Sequence, residues 1–432
     1  MKKDPLKAHL ITLGAGVATG RTLSFLQSIA IARMLGPVDL GHYATVVSIC
    51  ALLSRVGDFG LPHAFSYFAR ISPGSVRSLL RILGINILAG CVLYVLAIAA
   101  IFQLSLPAFD EIQASAAWTL VLFMFLILST VWGLLPILLM AAGEYGKYML
   151  YSNAYIVLQI ALQYVYYFFL GGGFLSLFAA NFTALALISV TLGIRQLRMP
   201  PPISVETVSA RQGYRFGLQV QWGVLMKLAS TRLEVPLVSG LLPGASTGSY
   251  SLASNLREAT FIPLQLYAGI FQNSLIDRNK EPGRAPGALI VRTLLLQALL
   301  YTAIAVAAWL TLPYLIPLIY GPDYAMAIKP AVILVGSSVF TGLAGLCWLA
   351  FNSANRPHLT SLVTTISGVA SPILIVAVAP VYGLVGVATA SLGASMLSFA
   401  LSLWLTIRVY GLSRKDMVQA LREIRGLAHR LL

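Results

Sequence analysis

Residues 82–104 read ILGINILAGCVLYVLAIAAIFQL, a run without one charged side chain. A helix of about 20 apolar residues is what the roughly 30 Å hydrocarbon core of a bilayer requires. A continuous apolar run, rather than about ten residues of alternation, also argues against a barrel strand. Eleven further segments of this kind occupy 10–32, 43–65, 114–141, 149–170, 173–194, 217–241, 250–276, 293–315, 329–351, 359–380 and 384–407. The 432-residue chain is 58% hydrophobic and 10% charged, with a mean hydropathy of +0.84. A soluble domain carries roughly 25% charged residues. The expected fold is an all-α integral membrane protein of about 12 transmembrane helices, with connections too short to hold a separate catalytic domain.

The net charge is +15. With the N-terminus placed in the cytoplasm, 22 of the 29 Lys and Arg residues fall in cytoplasmic loops and tails, and only Arg33 and Lys329 fall outside. This split follows the positive-inside rule and predicts two cytoplasmic termini. It also makes the basic charge a topology signal rather than a nucleic-acid footprint. Cys50, Cys91 and Cys347 sit inside apolar segments without ligand spacing, so neither disulfides nor a metal site are expected. Lys2, Lys3 and Lys7 precede an apolar stretch too long for a signal-peptide core, which reads as an uncleaved first helix.

The longest connection, 195–216, contains Pro200, Pro201 and Pro202 and lies midway along the chain. It divides the sequence into a six-helix bundle at 1–195, a cytoplasmic linker at 196–216, a second six-helix bundle at 217–408, and a basic tail at 409–432. In the tail, Ser413 and Asp416 have capping-box spacing. Val418, Leu421, Ile424, Ala428 and Leu431 then recur at helical spacing among arginines. Two readings stand: an amphipathic helix on the anionic inner leaflet, or a basic tail that helps set topology.

The chain repeats itself. ARMLGPVDLGHYA at 32–44 aligns with SGLLPGASTGSYSLA at 239–253, placing Leu35, Gly41 and Tyr43 on Leu242, Gly248 and Tyr250. GGFLSLFAA at 172–180 aligns with YGLVGVATA at 382–390, placing Gly173 on Gly383. Halves with an even number of helices keep one orientation, so the repeat is parallel, with a pseudo-twofold along the membrane normal. Folds of this kind place the substrate site between the halves.

These same residues carry a resemblance to polysaccharide (oligosaccharide) flippases of the Wzx type, within the MOP superfamily. Ala32-Arg33-Met34-Leu35-Gly36-Pro37, then Gly41 and Tyr43, resemble the family's ARxLGPxxxGxY pattern. Asp58-Phe59-Gly60-Leu61 resembles its DLGL segment, and Leu318–Tyr324 the loop before its tenth helix. Asn355-Arg356-Pro357 and Tyr382–Ala390 resemble its last two helices. One departure is clear: many members have aspartate then arginine where this chain has Glu234 then Val235. The resemblance implies a substrate of undecaprenyl-diphosphate-linked oligosaccharide, moved from the cytoplasmic to the periplasmic leaflet of a bacterial inner membrane by alternating access. It implies work beside a glycan polymerase and a chain-length regulator. The short loops, without a nucleotide-binding motif or metal-ligand cluster, predict no catalysis and no cofactor, and a monomer is expected.

Eight ionisable residues fall within predicted helices: Arg21, Arg55, Asp58, Lys227, Arg232, Glu234, Arg257 and Glu258. A charge at mid-membrane costs about 3 kcal/mol on insertion scales, so such residues normally face a bundle interior or a wet cavity. All eight sit on the first, second, seventh and eighth helices, which in the resembled family flank the central cavity. Arg21, Arg55, Lys227, Arg232 and Arg257 are the candidates for binding an anionic diphosphate. Arg offers a planar fork and Lys a point charge. Asp58, Glu234 and Glu258 are candidates for coupling to a proton or sodium gradient.

Duller roles stand beside each. Arg55 and Asp58 have i,i+3 spacing and fit an internal ion pair. Lys227 and Glu234 fit a tie between helices. Arg257 and Glu258 fit an interfacial position with snorkelling side chains. The three carboxylates fit simple charge balance. Asn86, Gln159, Gln163 and Asn181 are expected to join helices rather than to bind sugar. Tyr164, Tyr166 and Tyr167 fit an aromatic belt. Pro62, Pro136, Pro236, Pro263, Pro313 and Pro372 mark expected kinks.

Two other functions compete with flipping. A multidrug or organic-cation antiporter calls for an acidic or aromatic cavity, whereas this charge set is net cationic. A membrane glycan polymerase or transferase calls for a sizeable outside loop with catalytic residues, and the sequence has none.

Overall fold

A computed structural model describes residues 5–65, 76–141, 144–197, 210–280 and 286–431. Arg70, the linker residues Arg198 and Pro200–Pro202, and Arg284 lie outside them. Among the described residues the chain is helical and contains no strand. The helices are α1 (Pro5–Gly57), α2 (Val76–Gln103), α3 (Ala116–Ala141), α4 (Tyr145–Phe169) and α5 (Phe174–Leu197). Next come α6 (Ala210–Arg232), α7 (Glu234–Leu241), α8 (Gly244–Ala259) and α9 (Ile262–Lys280). The chain continues with α10 (Gly287–Tyr320), α11 (Ile328–Ser353), α12 (Pro357–Tyr410) and α13 (Arg414–Leu431). Among the described residues, seven helical stretches are long and apolar enough to cross a membrane. Two of these hold a pair of expected spans each. α1 breaks at Gly36 (φ 68°) and α12 at Gly383 (φ 57°), conformations that favour glycine.

Three expected spans are interrupted, and one physical cause accounts for all of them. Proline has no N–H for the carbonyl four residues back, and the helix fails there. α1 ends at Gly57, with the unserved carbonyl on Asp58 and the proline at Pro62. α6 ends at Arg232, four residues before Pro236. α8 ends at Ala259, four residues before Pro263. A tighter i→i−3 bond serves the first of these carbonyls, from Leu61 N–H to Asp58 O (2.9 Å). By contrast Pro136, Pro313 and Pro372 lie within helices that run on through them. The expected single helices at 217–241 and 250–276 are therefore each two, and six of the eight ionisable residues, all but Arg21 and Lys227, lie at the breaks.

Helix contacts group the chain into two compact units, Met1–Ser251 and Leu252–Leu432. This division differs from the sequence halves because it follows packing rather than repeat symmetry, and α1 packs on both α6 and α7. One core of the first unit joins Leu61 and Phe65 to Ile82 and Leu83 of α2, Leu134, Leu135, Leu138 and Leu139 of α3, and Leu192 of α5. In the second unit, Phe271 and Leu275 of α9 meet Leu289 and Ile290 of α10 and Leu346 and Ala350 of α11.

The repeat has a structural counterpart. Gly41, on the second limb of α1, lies against the first turns of α8: a Cβ there would stand 2.7 Å from the Gly244 carbonyl and 3.0 Å from the Gly248 nitrogen. A Cβ on Gly248 would in turn overlap the Pro37 carbonyl. Two positions matched in sequence thus face each other backbone to backbone, in the manner of small-residue helix crossings in membranes. The second matched pair, Gly173 and Gly383, both adopt positive φ (84° and 57°).

The expected joining role of the buried amides holds. Gln163 donates to Asn181 Oδ1 (2.7 Å) and to Tyr43 Oη (3.3 Å), Asn181 donates to Tyr43 Oη (2.5 Å), and Gln159 donates to Asn181 Oδ1 (2.7 Å). Gln27 donates to Gln163 Oε1 (3.0 Å), so α1, α4 and α5 share one network. Asn86 of α2 donates to the Gly57 carbonyl (3.0 Å). Tyr43→Phe removes the acceptor for two amide donors. It is expected to cost about 1–2 kcal/mol, read as a fall of a few degrees in the melting midpoint in detergent. An unchanged midpoint would remove the network from the forces holding these helices.

Candidate functional site

The break after α1 builds the most distinctive polar feature of the first unit. Asp58 is 3% exposed. Its Oδ1 accepts the Gly60 N–H (2.9 Å) and its Oδ2 accepts Arg55 Nη1 (3.2 Å). A buried carboxylate is stable only with such partners. The turn needs Gly60, whose φ is 73° and whose α-carbon lies against the Gly217 carbonyl of α6. Gln221 of α6 adds a hydrogen bond to the Arg55 carbonyl. The ion pair expected from the i,i+3 spacing is thus present, but the Arg55 side chain is 44% exposed and retains open surface.

Arg55 and Asp58 line a cavity of about 290 Å³ together with Arg232, the last residue of α6. Ser54, Ser129, Trp132 and Tyr155 complete its polar and aromatic wall. The Trp132 and Tyr155 rings lie 5.0 Å apart, tilted by 41°. Two arginines against one carboxylate, itself held by one of them, leave the cavity net cationic. A second, wholly apolar cavity of about 500 Å³ is lined by Ile49, Leu53, Ile101, Leu104, Leu237 and Leu241 among others. Both cavities use α1, through Ser54 and Arg55 on one side and Leu52 and Leu53 on the other. Consecutive residues at the α6–α7 junction also line them, Arg232 the one and Leu233 the other.

The remaining candidates fall elsewhere. Arg21 is exposed on the first limb of α1 and Lys227 is exposed on α6, and neither lines the cationic cavity. Glu234 is 2% exposed and accepts the Tyr250 hydroxyl at 2.8 Å, so it ties α7 to α8. It also occupies the first turn of α7, where the helix dipole favours an anion. Arg257 belongs to the second unit. The expected interfacial, snorkelling alternative does not describe it: the residue is 6% exposed, donating to Ser391 Oγ (2.8 Å) and Ser254 Oγ (3.3 Å). A serine on its own helix and one on α12 each accept one of its N–H groups. Glu258 is half-buried beside it.

The sequence did not single out Ser54, Ser129, Trp132, Tyr155 or Gln221. Apolar and small polar residues occur on every helix of this chain, and only packing distinguishes those that meet at a cavity. Among the described residues, no group of His, Cys, Asp and Glu is arranged to hold a metal ion.

Solved structures share this fold. The fold matches the lipid II flippase MurJ in an inward closed conformation, with a TM-score of 0.69, 13% identity, and coverage of 95% of this chain and 92% of that one. It matches an inward-facing multidrug resistance MATE family transporter of the MOP superfamily, with a TM-score of 0.67, 13% identity, and coverage of 91% and 96%. A MOP superfamily transporter from Pyrococcus furiosus, described as having a binding pocket of reverse polarity that suggests a different function, matches at 0.62, with 14% identity and coverage of 94% and 96%. The protein therefore shares the fold of these transporters, the all-α architecture of a multi-pass membrane protein.

No curated protein matches the chain by sequence. The family model described as polysaccharide biosynthesis protein matches residues 6–278, and the chain belongs to that family.

Proposed function

We propose that the protein moves an undecaprenyl-diphosphate-linked oligosaccharide from the cytoplasmic to the periplasmic leaflet of a bacterial inner membrane, by alternating access and with both termini cytoplasmic. The observation that carries this reading is the pair of arginines, Arg55 and Arg232, facing one cavity beside a wholly apolar one. A diphosphate is matched by guanidinium forks. An isoprenoid chain is matched by an apolar slot. The tilted Trp132 and Tyr155 rings suit the face of a sugar. Membership of the polysaccharide biosynthesis family points the same way.

A multidrug antiporter of the same superfamily is the second reading. The net cationic lining of the cavity disfavours an organic cation. Arg21, Lys227 and Arg257 are retained as further contacts for an anionic substrate on its path. Asp58, Glu234 and Glu258 are retained as sites of coupling to a proton or sodium gradient. A glycan polymerase and a chain-length regulator are the proposed partners of a monomeric transporter without cofactor.

The test is complementation of a bacterial strain lacking its own glycan flippase, scored by surface glycan at matched membrane levels of the protein. Wild-type protein is expected to restore glycan, and Arg232→Ala, Arg21→Ala and Lys227→Ala to reduce it. Rescue by every variant would keep the flippase and sink the cationic site. Drug export by the wild type without glycan rescue would favour the antiporter.

A further inference from the structure

We infer that α13 is a membrane-surface helix that recognises the anionic headgroups of the leaflet on the side of the chain termini. Its docking to α10 orients it for that contact. The last turns of α12 fix its level. Arg408 lies 4.2 Å from the centre of the Trp404 ring, an aromatic–basic pair of the kind found at the membrane–water boundary. α12 then stops at Gly411 (φ 59°), and Leu412 N–H returns to the Ile407 carbonyl at 3.2 Å, which caps the helix end. Only Leu412 and Ser413 separate this cap from α13. Ser413 N–H and its hydroxyl both donate to Asp416 Oδ2 at 2.8 Å, so α13 has a defined start within a few residues of the boundary.

The charges of α13 are sorted by face. Among its described side chains, both acidic residues turn toward α10. Asp416 lies against Gly287, the first residue of α10, where the helix dipole favours an anion. Glu423 accepts Arg292 Nη1 at 2.9 Å. Ala420 is fully buried between them in sequence. The four basic residues Arg414, Lys415, Arg422 and Arg425 are all exposed. So are three large apolar side chains, Met417 (54%), Val418 (49%) and Leu421 (48%).

At 100° per residue, Arg414, Met417, Val418, Leu421 and Arg425 share one side of the helix. Helical geometry alone does not require the acids on one side and the bases on the other. An exposed face that is both apolar and purely basic matches one surface this chain must meet, an acyl boundary under negative headgroups. A face meant for bulk water has no use for three exposed apolar residues, and one meant for an acidic soluble protein need not lie at the level of Trp404.

The experiment uses the full chain with Cys91→Ala, because Cys50 and Cys347 are buried. A nitroxide at Val418→Cys is measured in vesicles of neutral phosphatidylcholine and in vesicles containing anionic phosphatidylglycerol. The ratio of oxygen to water-soluble nickel accessibility is expected to rise several-fold in the anionic vesicles. Replacing Arg414, Arg422 and Arg425 with Gln is expected to abolish that rise while the melting midpoint holds, since all three are exposed. A label that stays in water in both vesicles would overturn the proposal and leave the face open for a soluble partner. A label equally immersed in both would overturn the recognition of charge, leaving apolar insertion alone.

Discussion

Gly248→Leu is expected to leave almost no folded protein in the membrane. The α8 backbone meets the second limb of α1 so closely that even a Cβ would overlap the Pro37 carbonyl, with its carbon at 2.7 Å and the Gly41 nitrogen at 3.1 Å. The obstruction is backbone, so no rotamer change relieves it and the two helices must separate. Overpacking of an ordinary core costs about 1–3 kcal/mol. Here the separation also opens the contact that Gly41 makes with Gly244, and the expected loss is at least about 3 kcal/mol, in the range that unfolds proteins of marginal stability. Gly336→Ala, where a Cβ meets nothing within 4 Å, is the matched control. Membrane level and detergent melting are the readouts. A Gly248→Leu protein that melts within a degree or two of wild type would show that the two repeat-matched helices are not bound through this crossing.

The second large effect concerns the arginines of the cationic cavity. Hydrogen bonds to charged groups contribute about 1.5–3 kcal/mol, so Arg232→Gln is expected to slow glycan transport by roughly 10–100-fold at matched membrane levels of the protein. Arg55→Gln does two things at once, since it also removes the cation from the buried Asp58. Stranding a buried charge is strongly destabilising. Adding Asp58→Asn removes that charge. The double variant Asp58→Asn/Arg55→Gln is therefore expected to regain melting temperature over Arg55→Gln while remaining defective in transport. If transport recovers together with stability, Arg55 serves the fold and not the substrate.

Much of the fold was legible in the chain, and for identifiable reasons. Long apolar segments must be helical in a bilayer, because lipid offers no partner for a free backbone group. The matched glycines and tyrosines of 32–44 and 239–253 announced a repeat, and Tyr43 and Tyr250 are both buried and hydrogen-bonded. The prolines were visible as well, but their consequences were not uniform. Pro62, Pro236 and Pro263 coincide with the ends of helices, while Pro136, Pro313 and Pro372 sit within helices that continue.

The candidate site was legible only in outline. The rarity of charge in an apolar chain drew attention to eight residues, and it could not say which of them would meet. Arg55 and Arg232 are separated by 177 positions in sequence and share one cavity, whereas Arg21 and Lys227, equally conspicuous, lie outside it. Sequence by itself determined what each residue requires: apolar runs need lipid, buried charges need partners, and prolines withhold an N–H. Those requirements are local, so composition and spacing expose them. Which partner meets each requirement was decided only by the tertiary structure. Ser391 for Arg257, Tyr250 for Glu234 and Gly248 for Gly41 are products of helix crossings, and a crossing depends on the shapes of two surfaces distant in the chain rather than on either sequence alone.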